Sequence, residues 1–195
     1  MTPRCASEEA VQAAEGSSND VALGVAEYGL GGVLLSRDAA ADRHRGLEVM
    51  GQARDMWLRE HAVFMVPVAD LWAARERARR SDRDAAIAVI RQAEDEMHQA
   101  GRLGYGVSGT GILVETLLER GAEDDLTEAQ EAIDRLANLP ADEDWAMREI
   151  TLLRLRALLA RARGDNVAYR DLVSRYRAMA ESLGFEGHMA MAEAM

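Results

Sequence analysis

The last segment of the chain, residues 152–195, constrains the fold more than any other. An apolar stripe runs along it to Arg163, Gly164 and Asp165 interrupt the stripe, and a second stripe follows as far as Gly184. Apolar residues at this spacing predict a helix, a turn and a second helix. Because neither helix can bury its apolar face alone, both require helical neighbours from the upstream chain.

The composition favours helix along the whole chain of 195 residues. It has three prolines, few aromatic residues and many Ala, Leu, Arg and Glu residues, whose side chains lose little freedom in a helix. Apolar residues make up 48% of the chain, which is enough for a sizeable core. No linker rich in Pro, Gly or Ser divides it, so we predict a single all-α domain over 1–195. Within this domain, residues 1–19 form a frayed or partial first repeat and residues 184–195 a C-terminal capping helix.

Apolar periodicity and turn residues together predict ten helices. They are Ser7–Glu15, Asp20–Ser36, Arg43–Glu60, Pro67–Arg80, Asp84–Ala100, Val107–Arg120, Thr127–Leu139, Glu143–Arg163, Asn166–Leu183 and a short helix from Glu186. Glycines at 101, 121, 164 and 184 stand where a left-handed residue ends a helix. The side chains placed to cap helix starts are Asp20, Asp82 or Asp84, Thr127, and Asp165 or Asn166.

We predict that these helices form pairs. The second helix of each pair has a small residue, a larger apolar residue four positions later and a third pattern residue three positions after that. The instances are Gly46/Met50/Ala53, Ala86/Ile90/Ala93, Ala129/Ile133/Leu136 and Ala168/Leu172/Arg175, with starts 40, 43 and 39 residues apart. A small residue lets the paired helix approach closely, and the larger one fills the groove between pairs. Arg175 departs from the pattern, and Tyr176 beside it is the candidate replacement.

The repeated pattern resembles the second helix of a tetratricopeptide repeat, although the usual period of that family is about 34 residues. The resemblance implies a right-handed α-α superhelix, a tetratricopeptide-like solenoid of about four to five antiparallel helix pairs. The four methionines near the end, Met179, Met189, Met191 and Met195, could cover the final repeat as a cap or expose an apolar surface, and we favour the cap.

Charge and composition exclude several classes of function. The formal charge of −11 disfavours nucleic acid and anionic membrane surfaces as partners. The chain has no lysine, which excludes chemistry that needs an ε-amine, such as a Schiff base or a phosphate-loop lysine. We predict no export signal and no membrane span. The lone cysteine, Cys5, has no partner for an internal disulfide, so we expect a cytoplasmic protein.

One short segment, Gly104 to Gly109, matches the GxGxxG pattern of dinucleotide-binding sites. That pattern requires a strand before the glycines and a helix after them, and the preceding segment is predicted to be helical. We therefore favour a glycine-rich connection between two helices. Close backbone packing at a repeat junction would also explain the glycines.

Other candidate sites are outweighed by simpler explanations. The four histidines lack a zinc-binding spacing, and the pair Asp95 and His98 is more typical of a solvated helix face than of a metal site. An arginine cluster over residues 75–83 could bind phosphate or an acidic partner, but it also complements the end of a helix. The three tryptophans lie on apolar faces and are predicted to be core. We predict no cofactor, no metal site and no catalytic constellation.

Several longer segments carry a second resemblance. They are RDAAADRHRGLEVMGQARDMWLRE (37–60), ARERARRSDRDAAIAVIRQAEDEMHQAGRLGYGVSGTG (74–111), GILVETLLERGAEDDLTEAQEAIDRLANLPADE (111–143), LLRLRALLARARGD (152–165) and AYRDLVSRYRAMAESLGFEGHMAMAEAM (168–195). These segments resemble the C-terminal helical-repeat region of actinobacterial signalling proteins. In such proteins a class III adenylate/guanylate cyclase domain, or an ATPase module, precedes the repeats.

The resemblance carries over no catalytic residue. The ATPase module needs a GxxxxGK[ST] phosphate loop, and the cyclase domain holds its metal ions on a mixed sheet, whereas this chain has no lysine and no evident strands. It therefore implies a non-enzymatic regulatory or scaffolding portion, either a fragment or a free-standing descendant of such a C-terminus.

The leading hypothesis is a helical-repeat module that binds a protein or peptide, including linked cyclase or ATPase domains. Its groove would be lined by the first helix of each pair, and Arg75, Glu115 and Arg148 are the candidate partner-binding residues. The alternative is a small-molecule sensor with a ligand held between helices, near the glycine-rich segment and the tryptophans. An enzyme is the weakest hypothesis.

Overall fold

The computed structural model describes residues 3–17, 19–37, 39–80, 82–101, 103–139 and 146–195, without the side chains of residues 3–5 and 103–105. Over these residues the chain is all-α and contains no strand. The α-helices are α1 (Pro3–Glu15), α2 (Asp20–Leu35), α3 (Ala40–Arg59), α4 (Val66–Arg80), α5 (Arg83–Gln99), α6 (Leu103–Arg120), α7 (Asp125–Ala137), α8 (Ala146–Ala162), α9 (Asn166–Leu183) and α10 (Glu186–Glu193). A short 3-10 turn, Val63–Met65, precedes α4.

The predicted helices are present, with starts within four residues and ends within two of the predicted positions. The predicted start of the eighth helix at Glu143 lies outside the described residues. No helix in the described ranges is both long enough and apolar enough to cross a membrane.

Turn chemistry explains most of the helix boundaries. All four predicted glycines are left-handed, with φ of 67° at Gly101, 69° at Gly121, 76° at Gly164 and 66° at Gly184. Each therefore adopts a conformation that is strained for a residue with a Cβ atom, which confirms their role at helix ends.

The predicted caps at helix starts are confirmed in part. The carboxylates of Asp82 and Asp165 accept hydrogen bonds from backbone N–H groups three residues on, at 3.3 and 3.0 Å. Asn19 caps α2 instead of Asp20. The prediction that Thr127 caps α7 is wrong, because the buried carboxylate of Asp125 already holds the preceding turn, accepting from the Ala122 N–H at 2.7 Å.

The chain divides into two compact units, Met1–Ala100 and Gly101–Met195. This division does not test whether the two units form a single domain, so one domain over 1–195 stays a prediction. In the first unit α1 packs on α2, α2 on α3, α3 on α4, and α4 on α5, and the first helices of the two predicted pairs, α2 and α4, also touch.

The contact between α2 and α3 depends on two glycines that face each other. A Cβ atom added to Gly46 would lie 2.8 Å from the Leu35 Cγ atom and 3.0 Å from the Leu35 backbone nitrogen. One added to Gly31 would lie 3.1 Å from the Met50 methyl carbon. Both glycines are buried, so the backbones of the two helices approach more closely than side chains would allow.

In the second unit α6 packs on α7 and on α8, α7 also packs on α8, and α9 packs on α8 and α10. The residues of the predicted small-then-large pattern on α7, Ala129, Ile133 and Leu136, are buried, each at most 1% exposed. In the last repeat Leu172 is half-buried and Arg175 is exposed, while Tyr176 is fully buried. Tyr176 thus occupies the core position that Arg175 leaves.

Helix α10 covers the hairpin of α8 and α9. Ala192 of α10 joins Ile150, Tyr176 and Ala180 in a buried apolar cluster, and Met179, Phe185, Met189 and Met195 pack around it. Met191 is instead 42% exposed. The Arg177 guanidinium donates to the Ala192 carbonyl oxygen at 3.2 Å, and the Tyr169 hydroxyl donates to the Met195 carbonyl oxygen.

The interpretation of Gly104 to Gly109 as a connection between helices is wrong, because these residues form the first turns of α6. Glycine costs about 1 kcal/mol relative to alanine inside a helix. The helix forms nevertheless because its continuation buries a dense apolar face, including Ile112, Val114 and Leu117. A Cβ atom at Gly106 would meet no other atom within 4 Å, so close packing does not explain that glycine.

Replacing Gly46 by alanine is expected to lower the free energy of unfolding by about 1–3 kcal/mol, because the new methyl group is forced against the backbone of α2. Gly51→Ala on the same helix is the matched control, since a Cβ atom there meets open space and should stabilise by about 0.5–1 kcal/mol. Urea unfolding of the two variants would measure the opposite signs. Equal stabilisation by both would contradict the close contact of α2 and α3.

Candidate partner-binding cleft

Helices α6 and α8 of the second unit enclose a cleft of about 420 Å³. These are the first helices of the third and fourth predicted pairs, the elements from which a groove was expected. The cleft is lined by Glu115, Leu118 and Glu119 from α6 and by Arg154, Leu158, Arg161 and Ala162 from α8. The lining is therefore mixed, with apolar side chains between charged ones.

An ion pair between Glu115 and Arg154 joins the two walls of the cleft. The Arg154 Nη1 atom lies 2.6 Å from the Glu115 Oε1 atom, and the two side chains are 18% and 14% exposed respectively. Burial alone would lower the pKa of Arg154, but the charge of Glu115 and its hydrogen bond outweigh burial and raise it. Because the pair is largely removed from water, the buried guanidinium of Arg154 depends on Glu115 for compensation.

The remaining charged side chains lie nearer to solvent. Glu119 and Arg161 are exposed, and the half-buried Leu118 and Leu158 lie between them and the ion pair in sequence. The Arg161 guanidinium carbon lies 5.7 Å from the centroid of the Tyr169 ring, a cation–π contact from α8 to α9. This contact holds the arginine without neutralising its charge.

A polar pair connects α9 to the C-terminal helix behind this cleft. The Tyr176 hydroxyl lies 2.8 Å from the His188 Nδ1 atom, and their rings meet edge to face with centroids 5.7 Å apart. Burial raises the pKa of Tyr176 to about 12, so the hydroxyl stays protonated. Burial, and then the positive charge of Arg154, lower the pKa of His188. Arg154 therefore acts electrostatically on both Glu115 in the cleft and His188 in the C-terminal helix.

The structure places the three predicted partner-binding residues in different surroundings. Glu115 lines the cleft. Arg148 donates to the Leu139 carbonyl oxygen, just beyond the end of α7, at 2.7 Å and to the Glu149 carboxylate, and it is not among the residues that line the cleft. Arg75 belongs to the first unit, where its guanidinium carbon lies 5.4 Å from the centroid of the Trp72 ring. Partner binding by these residues stays a prediction.

Sequence reasoning missed Arg154, Leu158 and Arg161 of α8. Their spacing of four and three residues places them on one helix face, which could have identified them as a set. Leu118 and Glu119 of α6 were also missed, although they lie three and four residues from the candidate Glu115 on the same helix face. The facing of α6 and α8 could not be predicted from spacing, because the contact between the two helices is tertiary.

Two arginines of the cluster over residues 75–83, Arg79 and Arg80, make contacts within the first unit. Glu76 is 4% exposed and forms ion pairs with Arg43 at 3.4 Å and with Arg80 at 3.3 Å. Arg79 donates to the Leu35 carbonyl oxygen at the end of α2. This favours the interpretation of the cluster as a complement to helix ends.

The tryptophans differ in burial. Trp57 is fully buried, as predicted for core, and Trp72 is half-buried and donates to the Tyr28 hydroxyl at 3.3 Å. Trp145 lies outside the described residues. Among the residues with described positions, no group of three or more His, Cys, Asp or Glu side chains could hold a metal ion.

Comparison of the chain with protein-family models, with curated proteins and with solved structures finds no match. The resemblance to cyclase-linked and ATPase-linked repeat regions therefore stays a prediction.

Replacing Glu115 by glutamine should destabilise the fold by about 2 kcal/mol, because it leaves the guanidinium of Arg154 buried without its counter-charge. The double replacement Glu115→Leu with Arg154→Leu should recover most of this loss, since no charge is then buried. Asp171→Asn, which breaks an ion pair whose side chains are 61% and 65% exposed, is the control and should change stability by less than about 0.5 kcal/mol. Equal losses in Glu115→Gln and in the control, measured by thermal unfolding, would contradict the importance of the pair.

Acidification should weaken the second unit through His188. Because its pKa is lower in the folded protein than the ordinary 6.5, the unfolded chain binds more protons between these two values. The contribution of His188 to the free energy of unfolding should therefore be constant above about pH 6.5 and fall below it, until the folded pKa is reached. His188→Asn should remove this component. An NMR titration of the His188 ring protons with a midpoint at or above 6.5 would refute the prediction.

Proposed function

We propose that this chain is a non-catalytic helical-repeat module that binds a protein or peptide segment in the cleft between α6 and α8. The proposal includes the right-handed tetratricopeptide-like superhelix, a cytoplasmic location and descent from the C-terminal part of a cyclase-linked or ATPase-linked signalling protein. The partners then include cyclase or ATPase domains.

The observation that carries the proposal is the position of the cleft. In helical-repeat proteins the extended binding surface is built from one helix of each successive pair. Here α6 and α8, which occupy that place in consecutive pairs, lie side by side and enclose the cleft. In the first unit α2 and α4 are adjacent in the same way.

The chemistry of the lining supports recognition. Leu118 and Leu158 offer partly exposed apolar surface, and Glu119 and Arg161 supply exposed charges at the same site. Apolar contact at the centre of an interface, with polar groups at its rim, is the usual anatomy of protein recognition.

The alternative function is a small-molecule sensor. A volume of about 420 Å³ is within the range of ligand pockets, which supports this candidate. A ligand that binds only the folded protein must raise its melting temperature, so screening of metabolites by thermal shift separates the two functions.

Panning a phage-displayed peptide library against the full chain tests the leading proposal. Peptides that bind in the cleft should lose about tenfold or more in affinity for Leu158→Arg, because a charge then replaces a central apolar contact. Val167→Arg is the matched control, since Val167 is 79% exposed on α9, and it should change affinity less than about twofold. Selected peptides that bind the Leu158→Arg variant as well as the wild-type chain would overturn binding in the cleft.

A further inference from the structure

The two walls of the cleft carry opposite charges. The α6 wall presents Glu115 and Glu119, four residues apart on one helix face. The α8 wall presents Arg154 and Arg161, seven residues apart, which is two helical turns on the same face. The cleft is therefore electrically polarised from one wall to the other, although its lining has no net charge.

One charge on each wall is already engaged and one is exposed. Glu115 and Arg154 compensate each other across the cleft at 2.6 Å. Glu119 and Arg161 are exposed, and Arg161 makes a cation–π contact with the ring of Tyr169. The exposed pair can therefore meet charged groups of a partner without breaking the buried pair.

Each wall of the cleft also presents apolar side chains. Leu118 on one wall and Leu158 with Ala162 on the other can receive the side chains of an apolar stripe. The lining on α8, from Arg154 to Ala162, covers about 12 Å at 1.5 Å per residue. This length matches about two turns of a helix lying along the cleft.

From this arrangement we propose that the cleft takes an amphipathic helix of a partner protein, with basic residues beside its apolar stripe towards α6 and acidic residues towards α8. The inference rests on the proposed function and names its class of partner. Packing of a third helix onto two neighbours uses the same ridges and grooves that join α6 to α8. Charges of opposite sign on the two flanks satisfy both walls, whereas flanks of one sign meet a like charge on one wall.

Three designed helical peptides of equal length and identical apolar stripe test this pattern. The first has lysines on one flank and glutamates on the other, the second has lysines on both flanks, and the third has glutamates on both. Fluorescence anisotropy with the full chain at about 0.15 M salt should give the first peptide at least about a tenfold lower Kd than the other two.

Charge reversal on the protein should switch this preference. Arg161→Glu makes the exposed charge of both walls negative and should make the all-lysine peptide the tightest binder. Glu119→Arg should favour the all-glutamate peptide for the same reason. The controls are Arg163→Glu and Glu123→Arg, exposed residues outside the cleft lining whose reversal changes the net charge equally. They should leave the preference for the first peptide unchanged, which separates local pairing from the general attraction of a chain with charge −11.

Preference for the mixed peptide that switches only with residues 119 and 161 supports the proposal. Equal effects of Arg161→Glu and Arg163→Glu would overturn it, because the wall charges would then not select the partner. If none of the three peptides binds while library peptides bind in a manner sensitive to Leu158→Arg, the mixed-flank helix is refuted and the proposed function stands. If Leu158→Arg lowers the affinity of neither the designed peptides nor the library peptides, the proposed function itself is refuted.

Discussion

The packing of the two helices of each pair against each other is the constraint on which the remaining packing depends. Gly46, Ala86 and Ala129 are buried at the start of the repeated pattern, and a larger side chain four residues on fills the space beside each of them. Because a helix of 13 to 20 residues gains most of its stability from its buried face, the pairs must form for the individual helices to persist. Helices α6 and α8, which enclose the cleft, both also pack on α7.

Local signals predicted most of the fold. Apolar periodicity located the helices, and left-handed glycines such as Gly164 located their ends, because both depend on neighbouring residues alone. Tertiary burial overrode local preference at Gly104 to Gly109, where a helix formed despite its glycines. The ion pair between Glu115 and Arg154 joins residues 39 positions apart, so only Glu115 was a candidate before the packing of α6 on α8 was known.

Arg154 connects the cleft to the C-terminal helix. It lies one helical turn beyond Ile150, which packs against Tyr176 and Ala192 in the cluster beneath α10. Its charge compensates Glu115 in the cleft and lowers the pKa of His188 behind it. An anionic group that approached Arg154 would weaken that second effect, and by reciprocity protonation of His188 would favour anions in the cleft. Arg154 therefore acts electrostatically both on Glu115 in the cleft and on His188 of α10.

The net charge and the cleft act over different distances. A net charge of −11 favours the approach of cationic partners in general. The field of exposed charges is, however, screened beyond about 8 Å at physiological salt. Within that distance the charges of the two acidic and two basic lining residues add up to zero. The acidic residues lie on one wall and the basic residues on the other, so the cleft remains polarised. General attraction can bring a basic chain to the surface, but it cannot place an acidic flank against Arg161. In the proposed complex, discrimination among partners would therefore come from the short-range pairing of Glu119 and Arg161, beside Leu118 and Leu158.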